Sequence, residues 1–198
     1  MPNRRTMRLK TKLAAAITGL VFLVVSVLSW LYISNLLQQR IGQSYLSTDI
    51  VARQLLFTTR QALQNDLPQQ TIDLNDPASI HNAVTNSLRN DRALNALINS
   101  VINYSPTVQD IAIVDQDGRG LVTAPDASLE DQILPKRPNY ASLRKNSFID
   151  TMKIVFGPPR VYNVSLELDR NNQPFLNIRI GIRTTFLEHL LRPWLIES

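Results

Sequence analysis

Residues 13–37 constrain this chain more than any other stretch: 25 consecutive positions without a charged residue, a proline or a cysteine. At about 1.5 Å per residue such a helix reaches roughly 37 Å, enough to cross a hydrocarbon core of about 30 Å with some tilt. Residues 20–27 are almost purely aliphatic, and Trp30 and Tyr32 fall near the far end, where amphipathic rings suit the membrane–water interface. Arg4, Arg5, Arg8, Lys10 and Lys12 flank the near end, with no acid in the first twelve residues. The positive-inside rule keeps this basic tail, 1–12, in the cytoplasm and exports everything after Gln38. A cleaved signal peptide would have a shorter apolar region and small residues at a cleavage site. Ser34-Asn35-Leu36-Leu37-Gln38-Gln39 offers no such pattern, so the run reads as an uncleaved anchor in the lipid bilayer.

That anchor explains the charge. The formal net charge of +5 equals the five positive charges of the first twelve residues, so the rest of the chain is neutral overall. The surplus is a topology signal and gives no case for a nucleic-acid partner. With no cysteine there is no disulfide framework, no thiol nucleophile and no thiolate metal ligand. A cysteine-free exported domain is compatible with a bacterial envelope.

Beyond the span, 38–66 lacks proline, and Gly42 is its only glycine. Ile41, Tyr45, Ala52, Leu55, Leu56 and Leu63 form a rough helical stripe, with Leu46, Ile50 and Phe57 on a wider face. This long membrane-proximal helix suits packing on its own domain, pairing with a second copy as a homodimer stalk, or both. Leu67-Pro68 ends it. Asp76 as N-cap and Pro77 at the first helical position start another helix, interrupted near Asn90-Asp91 and closed at Tyr104-Ser105-Pro106. From Val108 the apolar period becomes two. Residues 108–115 and 121–124 read as a hairpin around Gln116-Asp117-Gly118-Arg119-Gly120. A Pro-rich, charged loop follows, with a short helix around 140–145. Three further strands are expected at 149–156, 160–169 and 175–184. The last two alternate clearly, Tyr162, Val164, Leu166 and Leu168 on one face and Leu176, Ile178, Ile180 and Ile182 on the other strand's matching face. The expected fold class is α+β, with a five-stranded antiparallel sheet and flanking helices. Residues 185–194 read as an amphipathic helix leaving the sheet.

No catalytic grouping is legible. There is no P-loop, no Gly-rich nucleotide fingerprint, no G-x-S-x-G and no H-E-x-x-H, and no cofactor or metal site is expected. His81 sits in a polar helical context that suits a surface histidine. Asp115/Asp117 and Glu130/Asp131 are better explained by turn chemistry and a solvated loop than by acid–base or calcium work.

The order of elements resembles the PAS-like extracytoplasmic sensor domains known as Cache domains, found in bacterial sensor histidine kinases and chemoreceptors. Ile111-Ala112-Ile113-Val114-Asp115-Gln116-Asp117-Gly118 followed by Leu121-Val122-Thr123-Ala124 is similar to the family's apolar strand, acidic-Gly turn and return strand. Residues 161–166 and 178–187 resemble its last two strands and exit helix. The likeness implies a helical region over 38–105, a sensor domain over 106–186 and an exit helix over 187–198 leading toward a second span. It also implies a bacterial inner-membrane location with the main domain periplasmic, and the input region of a signal-transduction receptor, most like a two-component sensor histidine kinase. The input region of a chemoreceptor or cyclase, and a single-span envelope adaptor or assembly protein without a ligand, are the alternatives. His189-Leu190-Leu191-Arg192-Pro193 is only partly similar to a phospho-acceptor box, and the expected topology keeps it away from cytoplasmic ATP.

In such folds a small molecule sits between the sheet and the loop before the third strand. The resemblance then implies a site near Tyr140, Lys153, Arg160, Tyr162, Arg179 and Arg183, whose cations and phenols suit a small anionic ligand such as a carboxylate. An envelope protein partner is the other expectation. Against a binding role, alternation puts Arg179 and Arg183 on the sheet's solvent face and Tyr162 in the core.

Overall fold

A computed structural model describes residues 9–69, 76–170 and 173–185. The chain divides into two compact units, 1–40 and 41–198. Helix α1 (Leu9–Asp66) begins in the first and ends in the second. In the first unit its side chains are exposed from Thr11 to Tyr32, Phe22 by 74 % and Leu20 by 63 %. This part of α1 is long and apolar enough to cross a membrane, by length and composition.

In the second unit α1 buries Ile41, Thr48, Ala52, Leu55, Thr59 and Ala62. From Thr48 onward these recur every four and three residues, which keeps them on one face of a 3.6-residue helix. Leu46, Ile50 and Phe57 fall on the opposite face and are 60 %, 66 % and 68 % exposed. Pro68 lies in a 3-10 turn, Leu67–Gln69, directly after α1. Helix α2 (Pro77–Asn90) starts as its sequence dictates: the Asp76 carboxylate accepts from the Ala78 and Ser79 amides at 3.0 and 3.1 Å. Asp91 then ends α2 and caps α3 (Arg92–Tyr104), accepting from Leu94 N at 2.7 Å. The Asn95 amide donates to the Arg89 and Asp91 carbonyls, which stitches the junction.

The sheet has four antiparallel strands, β1 (Val108–Val114), β2 (Gly120–Ala124), β3 (Val161–Arg170) and β4 (Gln173–Arg183), in the order β2-β1-β4-β3. The fold class is α+β, but the expected fifth strand is absent among the described residues. Residues 149–156 fall instead on helix α4 (Phe148–Val155) and its C-cap, Phe156. Alternation of Met152, Ile154 and Phe156 suggested a strand; local capping overrides it. Ser147 Oγ accepts from Asp150 N at 3.3 Å and donates to the Asp150 carboxylate at 2.9 Å, a reciprocal N-terminal box. The short helix expected around 140–145 is a 3-10 helix, Tyr140–Lys145. The exit helix, His189 and Asn171-Asn172 of the last turn lie outside the described residues.

Register separates the two faces of the sheet. Ile113 pairs with Val122 and Ile178, and Ile180 with Ile111 and Val164, so one face is a continuous apolar layer. Ile113, Ile178, Ile180 and Ile182 there have no exposed surface. Helices α2 and α3 pack against β2 and β1. The other face carries Asp110, Ala112, Thr123, Asn163, Ser165, Arg179, Gly181 and Arg183, and this polar face positions the candidate site.

Candidate functional site

The connection after β2 crosses the polar face on its way to β3. It is tied at one end to the β1–β2 turn, where Asp131 N donates to Gly120 O at 2.7 Å and Leu134 N to Gly118 O at 2.9 Å. At the other end Asn163 N of β3 donates to Pro138 O at 2.9 Å. The turn itself is closed by Asp115, whose Oδ1 accepts from the Asp117 and Arg119 amides at 3.0 and 2.8 Å. Gly118 supplies its left-handed residue, at φ 83°. Arg89 of α2 holds the loop from below: Nε donates to Leu121 O at 2.9 Å and lies 3.1 Å from Glu130, while Nη2 reaches Asp131 at 3.1 Å.

Between this strap and the sheet lies a cavity of about 550 Å³. Its floor is built in rows by the ladder. Asn163 and Asp110, the two ladder neighbours of Gly181, line it from one row, and Arg179, Ala112 and Thr123 from the next. Pro125, Asp126, Leu134 and Arg137 form part of its wall. Arg137 Nη1 contacts both Asp110 oxygens, at 2.7 and 2.8 Å. The pair lies over Gly181: a Cβ there would stand 2.5 Å from Asp110 Oδ1 and 2.8 Å from Arg137 Nη1. Only glycine leaves that room.

The cations differ in how they are engaged. Arg137 is spent on Asp110. Arg183 Nε donates to Gln109 at 3.0 Å and its side chain is exposed. Arg179 is half-buried and makes no hydrogen bond or ion pair among the described residues. Its pKa is held below the ordinary arginine value, chiefly by burial and further by Arg137, with Asp115 acting the other way. Among the acids, Asp126 is held below the usual carboxylate range by hydrogen bonds from the Ser128 hydroxyl and amide. Asn163 is 6 % exposed, and its Oδ1 is buried without a donor.

Of the six residues singled out from the sequence, Arg179 and Arg183 line this cavity. Tyr140 and Tyr162 do not line it; they meet edge to face with centroids 6.4 Å apart, and Tyr140 stacks on Tyr45 of α1 at 6.2 Å. Tyr162 points to the apolar face, its ladder partner being Ile182. Lys153 lies on α4 with an exposed side chain, 3.5 Å from Asp150. Arg160 is exposed just before β3, where its amide donates to Thr184 Oγ1 at 3.1 Å. The cavity thus gathers two of the six and adds Asp110, Arg137 and Asn163, which sequence reading passed over. Asp110 was hidden by a bulge between Val108 and Asp110 that breaks the alternation. Asn163 had a readable signal: it shares the polar parity of β3, and the ladder sets it on the face of Arg179. Arg137 comes from a loop whose path no periodicity records.

His81 approaches Asp115 at 3.9 Å beside a smaller cavity of about 300 Å³ that includes Phe175 and Leu176. Among the described residues no group of three His, Asp or Glu side chains converges to hold a metal ion. No protein-family model matches the chain, and no curated protein matches it in sequence.

Proposed function

We propose that this chain is the membrane-anchored input region of a receptor, with an exported PAS-like domain that senses a small anion. The sensor-histidine-kinase type is the parent that the sequence resemblance favours. The observation that carries the reading is the cavity between the sheet and the strap of 125–137, with Arg137, Arg179 and Arg183 around it. A half-buried guanidinium without a hydrogen-bond or ion-pair partner among the described residues is a costly feature to keep, and an anion that pairs with it offsets the cost of its burial.

The contacts of α2 give such a ligand a route to α1. Arg89 holds the strap, and two residues earlier Ser87 Oγ donates to Asp66 at 3.1 Å and to Ala62 O at 3.4 Å. A ligand that draws the strap toward Arg179 therefore pulls on the helix that carries the apolar span. The shift follows only to the extent that the ligand binds the two strap positions with different affinity. The exposed stripe of Leu46, Ile50 and Phe57 supports a second copy as the neighbour of α1, since anchors in one bilayer hold two such helices parallel.

Titration of the full chain in lipid nanodiscs with mono- and dicarboxylates of two to six carbons tests the reading. At least one should bind saturably and raise the thermal midpoint, and Arg179→Gln should remove the effect. Absence of any carboxylate-dependent shift rejects the anion-sensor reading.

A further inference from the structure

Helix α4 and its C-cap, Phe156, expose an apolar face. Ile149, Lys153 and Phe156 are four and three residues apart, so they share one side of the helix. Ile149 is 57 % and Phe156 59 % exposed, while Thr151 on the opposite side is buried. We propose that this face rests on the surface of the bilayer that anchors the chain, with Ile149 and Phe156 at the boundary between headgroups and acyl chains and Lys153 on anionic phosphates. This requires the anchor proposed above and is independent of any ligand in the cavity.

The residues that bracket α4 in the chain fix its place. Before it, Tyr140 has no exposed surface and stacks on Tyr45 of α1. After it, Arg160 N donates to Thr184 Oγ1, and Tyr162 meets Tyr140 edge to face. The segment carrying α4 therefore leaves from and returns to the end of the sheet beside Tyr45. The last residues of α1 mark the opposite end: Ser87 of α2 donates to Asp66 and to Ala62 O, and Arg89 donates to Leu121 O at the start of β2. Tyr45 follows the apolar run 13–37 by eight helical residues, about 12 Å of rise, of which the headgroup layer accounts for roughly 5–8 Å. A bilayer that holds 13–37 is thus tethered closer to the α4 end of the domain than to the β1–β2 turn.

Charge favours an anionic lipid surface as the occupant. Residues 138–160 contain four basic residues, Arg144, Lys145, Lys153 and Arg160, and one acid, Asp150, although 13–198 as a whole is neutral. Lys145, Lys153 and Arg160 are exposed. Asp150 lies 3.5 Å from Lys153, but both side chains are more than half exposed, so the pair is weak and yields to phosphates. Two apolar side chains around a lysine suit an interfacial helix, whose lysine stem reaches back from the acyl boundary to the headgroups. So small a contact would not hold a free protein on a membrane. The anchor makes it intramolecular, at a high effective concentration. A second copy fits this face less well, since pairing two such faces sets lysine against lysine.

The test uses the full chain in nanodiscs of phosphatidylcholine, with or without phosphatidylglycerol. The chain has no cysteine, so Ile149→Cys, Phe156→Cys, Ser100→Cys and Phe22→Cys can each carry one polarity-sensitive nitrobenzoxadiazole dye. With phosphatidylglycerol present, the dyes at 149 and 156 should emit at shorter wavelength than the dye at 100 and be quenched by lipids bearing a nitroxide near the headgroup. Phosphatidylcholine alone should weaken both effects, and Lys153→Gln should lower the ratio of docked to undocked dye in the anionic discs roughly fivefold. Circular dichroism checks that each variant folds. Quenching at 149 and 156 no greater than at 100 overturns the α4 contact, and the anchor stands if the dye at 22 is still quenched by nitroxides deep in the acyl chains. A shift to shorter wavelength without quenching, growing with the number of chains per disc, assigns the face to a second copy and also overturns the contact. Quenching indifferent to both phosphatidylglycerol and Lys153→Gln overturns the anionic-surface assignment. No quenching at 22 overturns anchor and contact together.

Discussion

Gly181 is the residue on which the polar face turns. It is a strand glycine in a β4 otherwise rich in β-branched side chains, and its missing Cβ is filled by the Asp110–Arg137 pair. Gly181→Ala should displace that pair and lower stability by about 1 kcal/mol, the low end for overpacking because side-chain ends can yield. In an Asp110→Ala background the same change should cost less, and urea unfolding of the four chains would measure the coupling. Tyr140 behaves differently. It is fully buried, and its hydroxyl makes no hydrogen bond of normal geometry, Ser44 being the polar neighbour. Burial pushes its pKa up to about 12 from an ordinary value of 10.0. The unfolded chain then loses this proton before the folded one does. The stabilisation it carries is complete below pH about 10 and is lost as pH rises toward about 12, at up to about 1.4 kcal/mol per unit. Tyr140→Phe should flatten that part of the wild-type pH–stability curve and leave stability at pH 7 undiminished.

At the scale of elements, the strap and α2 act as one assembly. Arg89 bonds to the β2 backbone and to two carboxylates of the strap from a site only 30 % exposed. Arg89→Met keeps the aliphatic stem and removes the latch. The expected loss is roughly 1–2 kcal/mol, discounted for the exposure of Asp131. Hydrogen exchange should report it locally, with amides of 130–134 exchanging faster and those of β3 and β4 unchanged. Uniform loss of protection across the sheet would show that Arg89 holds the whole domain instead. Helix α4 forms where alternation alone points to a strand. Its apolar residues fit period two over a few positions, but an eight-residue segment is too short for periodicity to decide, and the Ser147/Asp150 box was the better evidence.

For the whole molecule the useful fact is the absence of cysteine, which makes any introduced thiol unique. Ser100→Cys, on the exposed side of α3, should react with a membrane-impermeant maleimide in intact spheroplasts. Thr6→Cys in the basic tail should react only after permeabilisation. The reverse pattern would sink the proposed orientation. Ile50→Cys should crosslink to a second copy in native membranes, with Ser100→Cys as the control that does not. Failure of Ile50→Cys to crosslink at any density would leave its apolar stripe facing something other than its twin.

Much of this architecture follows from linear order. The apolar run, the Asp76 and Asp91 caps, the acidic-Gly turn and the alternation of the last two strands rest on interactions within a few residues, so local chemistry fixes them. The candidate site is another matter. Asp110, Arg137, Asn163 and Arg179 are separated by up to 69 residues, and they meet only because ladder register and a loop's path set them on one face. Alternation could say that Arg179 points away from the isoleucines. Only the strap folding back over that face turns a solvent-facing arginine into a half-buried cation that lacks a partner among the described residues.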